Sequence, residues 1–476
     1  RIDGVLSAAN PSFAALSSFD LITATNSSDF QDRAGELYNY ASLNYYQRPD
    51  TQIVLGSYFN YEVNERTEIY GEVGYGRNKT KSQIAPSGNF FVTDDLFCGN
   101  PLMSEQQFQR VCGSVGLTKD QYFSDVGSMA GLGSAPQFYI GRRNLEGGPR
   151  QDDILHTNYR IVFGVRGDFN DAWSYDVSMN YAKTDLSETY LNDLSSTRIG
   201  RALDVVLDSD NNPVCRTALS GVDTNCVPWN VFTNNGNQIA DNVADGVTQA
   251  AIDYLTLPSY STGETTLKQF NAYVVGDLSD YGVTIPTAET GVTVSLGVEY
   301  IDESLDFSPD NGYTSGDGAG QGGPTVGVSG SLDVNEIFFE AKIPVVEGKR
   351  WAQSLTLDLG GRYGDYSSGQ DATSFKVATA WSITDDVTLR ASFQDATRHP
   401  NIRELFVPQS TGLWDGADSC ANGSDEDGNA TPPTSTAQQC LNSGVTAALY
   451  GNIASSPAGQ YNQITGGNSG LLPEES

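Results

Sequence analysis

The chain predicts an all-β fold, an antiparallel transmembrane β-barrel with long loops at one end. Three observations carry that prediction. Segments that strictly alternate apolar and polar residues recur along the chain, and tight polar turns and long Gly/Asp/Asn-rich excursions join them in turn. No run of about 18 apolar residues exists to make a helical span. In residues 386–394, Val387, Leu389, Ala391 and Phe393 point one way and Thr388, Arg390, Ser392 and Gln394 the other. One such strand fits any half-buried sheet. Many of them, each about ten residues long, fit a wall with lipid on one side and water on the other. The competing architectures are a large soluble β-sandwich, propeller or β-helix, whose loops have no reason to segregate by length.

The elements follow in order. Residues 52–63 place Ile53, Leu55, Phe59 and Tyr61 on one face, and residues 64–66 turn the chain. The return strand sets Ile69, Val73 and Tyr75 against Glu68, Tyr70 and Glu72. After an excursion at about 82–155, a hairpin joins 158–169 to 173–185, aligning Tyr159, Ile161, Phe163 and Val165 with Tyr175, Val177, Met179 and Tyr181. A second excursion covers about 186–263, with a short helix expected at 248–257. Residues 266–278 and 291–306 form a third hairpin, and a Gly-rich loop at 308–331 precedes strands at 335–346, 354–366, 373–382 and 386–394. In 354–366, Leu355, Leu357, Leu359 and Tyr363 oppose Thr356, Asp358, Arg362 and Tyr366. This gives about ten strands, with all short turns expected at one end and all long loops at the other. In bacterial outer-membrane barrels the short turns are periplasmic and the long loops extracellular. Tyr75, Tyr181, Tyr300 and Tyr363 would then stand in the interfacial aromatic girdle.

Composition supports strands: aromatics make up 10% of the chain, with 24 Tyr and 20 Phe, and Gly reaches 50 residues. The formal charge of -32 leaves no basic surface to displace counterions, so nucleic acid is excluded as a partner. The excess of acid reads as hydration of the loops in a salty habitat, or else as a field that gathers cationic or metal-bearing ligands. Six cysteines fall into three sequence-local pairs, Cys98 with Cys112, Cys215 with Cys226 and Cys420 with Cys440, each expected inside a long loop and none in a strand. Local spacing and even number point to loop-closing disulfides in an oxidising compartment, although six cysteines allow 15 pairings. No CxxC is present to hold zinc. The chain begins at Arg1 without a signal peptide and ends at Ser476 in a polar stretch, and is expected to be an internal fragment.

Catalytic chemistry is sought and not found. The two histidines, His156 and His399, form no motif, and neither GxSxG nor HExxH occurs. Gly318–Gly323 matches GxGxxG, but without a strand–helix unit around it reads as a mobile loop. Asp208, Asp210 and Asn212 carry alternating oxygen ligands and are weak calcium candidates, lacking the turn Gly and the bidentate Glu of an EF-hand. The acidic run Asp425, Glu426 and Asp427 reads as hydrated charge. Glu68, Glu72, Asp176, Glu299 and Asp358 are expected on the wet wall. Tyr122, Phe123, Phe138, Tyr139, Trp229 and Trp414 are loop aromatics suited to contacting a ligand.

Three stretches go beyond periodicity. Residues 390–398 followed by His399, Pro400, Asn401, Ile402, Arg403, Glu404, Leu405 and Phe406 resemble the strand-and-loop signature of TonB-dependent outer-membrane receptors. Residues 466–476, ending Leu-Leu-Pro-Glu-Glu-Ser, look like that family's start of the next barrel strand. Residues 213–228 and 139–150 look like loops of a large subgroup. His399 replaces the usual Ala and Ser469 stands where Pro is common. The resemblance runs from about Gly35 to the end.

The resemblance implies a barrel of about 22 strands plugged by an N-terminal globular domain. The plug, its TonB-binding segment and the C-terminal barrel strands are expected to lie outside residues 1–476. It implies uptake of a scarce nutrient such as a ferric siderophore, oligosaccharide, peptide or cobalamin across a Gram-negative outer membrane. The implied partners are the TonB–ExbB–ExbD complex, outer-membrane lipid and lipopolysaccharide, and a small-molecule ligand. No cofactor and no catalytic residue are expected. Arg398 is expected to satisfy loop carbonyls or pair with Glu404, Pro400 to end the strand, and Asn401 to brace a turn.

Overall fold

Ten strands form one antiparallel meander in which each strand pairs with those before and after it in sequence. They are β1 (Asp50–Asn64), β2 (Thr67–Ile84), β3 (Arg150–Asp168), β4 (Trp173–Leu191), β5 (Ser259–Asp277), β6 (Thr293–Pro309), β7 (Val328–Lys349), β8 (Ala352–Tyr366), β9 (Asp371–Ser382) and β10 (Thr388–Asp395). The structure is a computed structural model that describes residues 5–7, 20–32, 38–90, 95–125, 139–424, 430–453 and 460–476. The sheet is an open wall with β1 and β10 at its edges.

Register carries the alternation from strand to strand. Val73 faces Ile161, which faces Tyr181; Val298 faces Ile337, which faces Tyr363; Val377 faces Phe393. One side of the wall is therefore a continuous apolar band, and it is open: Ile161 is 51% exposed, Ile337 59% and Phe393 67%. Val387 and Leu389 are exposed with it, not enclosed between layers. On a water-soluble surface such a band would drive association, whereas lipid covers it.

The strands outrun the sequence expectation. β3, β4 and β5 have 19 residues each and β7 has 22, against the roughly 9–11 that cross a bilayer. The added residues, such as 150–157 and 259–265, carry polar side chains on both faces, so their sequence loses the alternation while the backbone ladder continues. The two first excursions shrink accordingly to 85–149 and 192–258. Loop segregation also needs correcting at two places. A tight turn joins β8 to β9 at the long-loop end, where Tyr366 N–H donates to Gln370 O at 3.0 Å. The β5–β6 connection, residues 278–292, is long at the short-turn end. Pro344 sits inside β7, where the register shifts between Pro344 and Val346, a bulge that spares the missing N–H its partner.

Most buried apolar side chains lie outside the wall, in the excursions. Leu21, Phe108, Leu194, Trp229, Phe232 and Leu255 belong to one cluster over the long-loop end. Among the helices that contribute to it are α1 (Glu105–Val111), α2 (Ser196–Leu203) and α3 (Gln249–Leu255). Each begins on a Ser or Thr whose hydroxyl accepts an N–H of the first turn: Ser104, Ser195 and Thr248. α3 lies in the segment where the sequence predicts a helix. A five-stranded sheet, with Tyr139–Arg143 between Val5–Ser7 and Gly88–Phe90, completes the cluster.

Candidate functional site

The face opposite the apolar band is a hydrogen-bonded polar wall. Arg160 on β3 donates to Glu72 Oε1 on β2 at 3.1 Å and to Asn180 Oδ1 on β4 at 3.3 Å. Asn180 donates to Gln269 on β5 at 3.3 Å, and Gln269 and Asn271 donate to Glu299 on β6 at 2.5 and 3.3 Å. Arg362 on β8 closes the chain, donating to Glu299 Oε2 at 2.7 Å and to Glu336 on β7. Seven strands are thus linked at one level. Glu299 and Glu336 lie directly opposite in register and are only 8% and 9% exposed, so the guanidinium between them offsets their mutual repulsion. Nearer the short turns, Arg166 pairs with Glu68 at 3.1 Å and Tyr70 donates to Asp176 at 2.7 Å. Glu68, Glu72, Asp176 and Glu299, placed on the wet wall by the sequence, all take part.

Aromatic rings complete this wall where the partner strand has glycine. Phe338 lies over Arg362, 5.1 Å from ring centroid to guanidinium, and across Gly297. A Cβ at Gly297 would stand 2.1 Å from the Phe338 ring, so only glycine admits it there.

At the long-loop rim, acidic groups gather on the same face. Asp152 on β3 and Glu188 on β4 sit diagonally across the β3–β4 pairing, and Ser261 donates to Glu188 Oε2 at 2.5 Å. Burial, then the Glu188 carboxylate, pushes the Asp152 carboxyl up to about 7. Just beyond, Asp193 is fully buried and accepts from Ser87 Oγ at 2.5 Å and from the Gly320 N–H at 3.1 Å. Burial raises its carboxyl above the usual range, against the Ser87 hydrogen bond. Arg150 beside it donates to Ala85 O at 2.9 Å and Gly320 O at 3.3 Å. The GxGxxG segment therefore packs against an Arg–Asp joint and holds no dinucleotide motif.

Above the rim, Arg142 and Glu146 form a bidentate pair at 2.6 and 3.1 Å with side chains 3% and 1% exposed. The Arg142 guanidinium lies 5.5 Å from the Trp229 ring. Arg216 lies against both Phe97 and Tyr122 and pairs with Asp204 at 3.0 Å. These contacts tie the first excursion to the second. The bonded cysteines are Cys98–Cys112, Cys215–Cys226 and Cys420–Cys440. Cys215, expected in a loop, ends the short strand Pro213–Cys215.

After β10 the chain makes Thr397–Arg398, which pairs with Glu474–Glu475. Ala396 and Ser476 exchange backbone hydrogen bonds at 3.1 and 3.0 Å, extending the pairing. Arg398 grips two carboxylates, Glu404 at 3.0 and 3.1 Å and Glu474 at 2.9 and 3.0 Å, and holds both below the usual carboxylate range. Pro400 precedes α4 (Ile402–Phe406), whose N-cap Asn401 accepts the Glu404 N–H while the Glu404 side chain accepts the Asn401 N–H. Ile402 and Leu405 turn inward onto Leu332, beside Leu305 and Tyr366 on the polar side of the wall. Phe406 is exposed. His399 stacks on Tyr366 with centroids 4.0 Å apart and bonds Ser368 at 2.8 Å.

The expected ligand-contact aromatics divide. Trp229 and Phe123 are 0% and 4% exposed, and are corrected from surface contacts to core residues. Tyr122 is half-buried under Arg216, and Trp414 is exposed on Ser410–Trp414. Tyr139 begins the strand Tyr139–Arg143, and Phe138 lies outside the described residues, as do Asp425, Glu426 and Asp427. Asp208, the first of the weak calcium candidates, sits in a hairpin turn. Its carboxylate accepts the Asp210 and Asn212 N–H groups at 2.8 Å each, closing the turn between Val205–Leu207 and Pro213–Cys215. Among the described residues no three His, Cys, Asp or Glu side chains gather as a metal site.

Comparison with known proteins gives a family. No curated protein matches the chain. Among solved structures it is similar to the ferric enterobactin receptor PfeA of Pseudomonas aeruginosa, at 14% identity and TM-score 0.42, covering 99% of this chain and 49% of that one. FpvA of P. aeruginosa, bound to heterologous pyoverdines, aligns at 11% and 0.39 over 76% and 39%, respectively. The siderophore receptor PirA of Acinetobacter baumannii aligns at 11% and 0.33 over 90% and 49%. The chain spans about half or less of the length of these receptors. The family described as "TonB dependent receptor-like, beta-barrel" matches residues 113–476, well over half of the chain. With its two-faced meander and its inward-turned loop after β10, this chain belongs to the TonB-dependent receptor family, as part of its β-barrel.

Proposed function

We infer that the chain builds wall and mouth of an importer that carries a scarce nutrient across the bacterial outer membrane, driven by TonB. The observation that supports this most is the two-faced wall, with an exposed apolar band behind a hydrogen-bonded ladder of polar and charged groups running from Glu72 to Glu336. Lipid matches the first face and a water-filled or protein-filled lumen the second. Energy would arrive through an N-terminal segment that TonB captures by strand addition, with ExbB and ExbD behind it. The chain supplies walls, loops and polar lumenal groups and performs no covalent chemistry. Arg398, Pro400, Asn401, Glu404, Leu405 and Phe406 act as structure in this reading, folding the loop inward and joining β10 to the strand that begins at Glu474. Tyr122 and Trp414 remain the ligand-facing aromatic candidates; ferric siderophores, oligosaccharides, peptides and cobalamin are the substrate classes.

The test uses the full-length protein. It should fractionate with the outer membrane, migrate differently on gels with and without boiling, and support uptake of one of these nutrients only in a strain with intact TonB. Uptake that persists without TonB would assign a passive porin-like barrel instead. Recovery as a folded soluble monomer would assign a secreted enzyme or adhesin.

A further inference from the structure

Beyond α4 the chain builds a small hairpin of its own. Ser410–Trp414 and Tyr461–Thr465 pair antiparallel, with Trp414 directly opposite Tyr461, Gly412 opposite Gln463 and Ser410 opposite Thr465. Partners in such a ladder point to the same side, so these six residues share one face, and Leu413 and Ile464 belong to the other. The base of the hairpin is fixed to α4: Gly467 N–H donates to Val407 O at 2.7 Å and Asn468 N–H to Glu404 O at 2.8 Å. Because α4 lies on the lumenal side of the wall, the hairpin stands in the mouth. Its Leu413 face rests on the Gly-rich loop. A Cβ at Gly322 would stand 2.7 Å from Leu413 Cδ1, and one at Gly323 2.6 Å from Thr411 O. Gly320 ties that same loop to Arg150 and Asp193, so the hairpin is seated on the rim from behind.

The Trp414 face is unlike the rest of the chain. The net charge is -32, yet neither strand of the hairpin contains Asp, Glu, Lys or Arg. The Trp414 ring lies against the bare backbone of Gly416, where a Cβ would collide with it, and is still 42% exposed. Beside it a Cβ at Gly412 would meet nothing within 4 Å, so open space adjoins Trp414, Ser410 and Gln463. We propose that this face is a stacking platform for a neutral oligosaccharide. A sugar ring offers a C–H face that packs on an aromatic ring and a rim of hydroxyls that both donate and accept. Trp414 and Tyr461 supply the rings, and the Ser410 and Thr465 hydroxyls and the Gln463 amide donate and accept in the same way. An anionic metal chelate needs cations to hold it by charge-assisted hydrogen bonds; the hairpin has none, and the acidic chain around it repels such a ligand. The inference deepens the import reading above and rests on it.

The full-length protein in mild detergent would be applied to an array of neutral oligosaccharides, covering α- and β-linked glucans, xylans, mannans and galactans, with a ferric tris-catecholate as the anionic probe. Wild type is expected to bind a sugar of the array, with an affinity that stays the same from about 50 to about 500 mM salt because a neutral ligand has no charge to screen. W414A should weaken that binding roughly tenfold, and G412V, whose side chain enters the open space, should weaken it similarly by filling the space. W414F should restore most of the affinity, and I464S, on the opposite face, should leave it unchanged. Wild type that binds no sugar on the array would overturn the proposal. So would sugar binding indifferent to both W414A and G412V, or binding of the ferric probe alone with dependence on Trp414. Heat-modifiable migration of every variant separates loss of the platform from misfolding. Uptake of the bound sugar in a strain without TonB would instead refute the energy-coupled reading and leave the platform standing.

Discussion

Arg362 is the keystone of the polar wall, and its replacement by Met tests whether that wall holds the sheet together. Met keeps the side-chain stem against Phe338 but removes the charge between Glu299 and Glu336. Breaking one side of a fully buried pair costs about 3–5 kcal/mol, and breaking an exposed one about 0–1. Here both carboxylates are buried while the Arg362 side chain is 44% exposed, which places the cost at about 2–3 kcal/mol. The two carboxylates face each other in register, so the loss should be partly repaired by removing one of them. The expected result is a lower urea midpoint for R362M in detergent, read from the heat-modifiable band, and a partial return in E299Q/R362M. An unchanged midpoint for R362M would refute the reasoning. So would a double variant no better than the single one, since the damage would then come from lost packing.

Four further outcomes are expected. Gly297→Ala, with its Cβ forced against the Phe338 ring, should cost about 1–3 kcal/mol in the same unfolding assay, and G297A/F338L should recover part of it. Asp152 has an ordinary value of 3.8 and is raised to about 7 in the folded rim. Its contribution is therefore complete below about pH 3.8 and lost as pH rises through about 7, so amide protection in 150–157 and 186–191, taken relative to the intrinsic base-catalysed rate, should fall between pH 5 and 8 in wild type and not in D152N. C215S/C226S should loosen the second excursion by about 2–4 kcal/mol, seen as faster proteolysis around 204–230 with barrel migration intact. Asn401→Ala should weaken α4 by about 1 kcal/mol, measured as faster amide exchange across residues 402–406; unchanged exchange would show that the cap is idle.

The wall was legible in the sequence because its signal is local. Val387 to Phe393 reveal a lipid face through a period of two, and Ile161 or Ile337 do the same without any knowledge of partners. The strand extensions were not legible, because above the bilayer both faces of residues 150–157 meet water or loop and the alternation vanishes. The loops hid more. Trp229 and Tyr122 have the same appearance in a sequence, yet one fills a core and the other lies under an arginine; only packing distinguishes them. Arg142 and Glu146 did carry a signal, since they sit four residues apart in a Gly-rich segment. The Asp152–Glu188 contact carried none, because it depends on the β3–β4 register, which the sequence does not number.

The wall and the loop cluster owe their cohesion to different forces. A sheet one layer thick between lipid and lumen has almost no apolar interior of its own, so backbone ladders and the lateral chain from Glu72 to Glu336 must hold neighbouring strands in register. The excursions, in water, bury Leu21, Phe108, Trp229 and Leu255 as an ordinary soluble core does and add disulfides. Two such units would drift relative to each other unless something fixed the joint. Arg150, the first residue of β3, and Asp193, two residues beyond β4, meet at that joint and hold Ala85 and Ser87 from one segment and Gly320 from another. Both charged groups are buried, and each is committed to backbone or hydroxyl partners with fixed geometry. The orientation of the mouth over the wall is therefore set by hydrogen-bond direction, which apolar packing alone would leave free to slide.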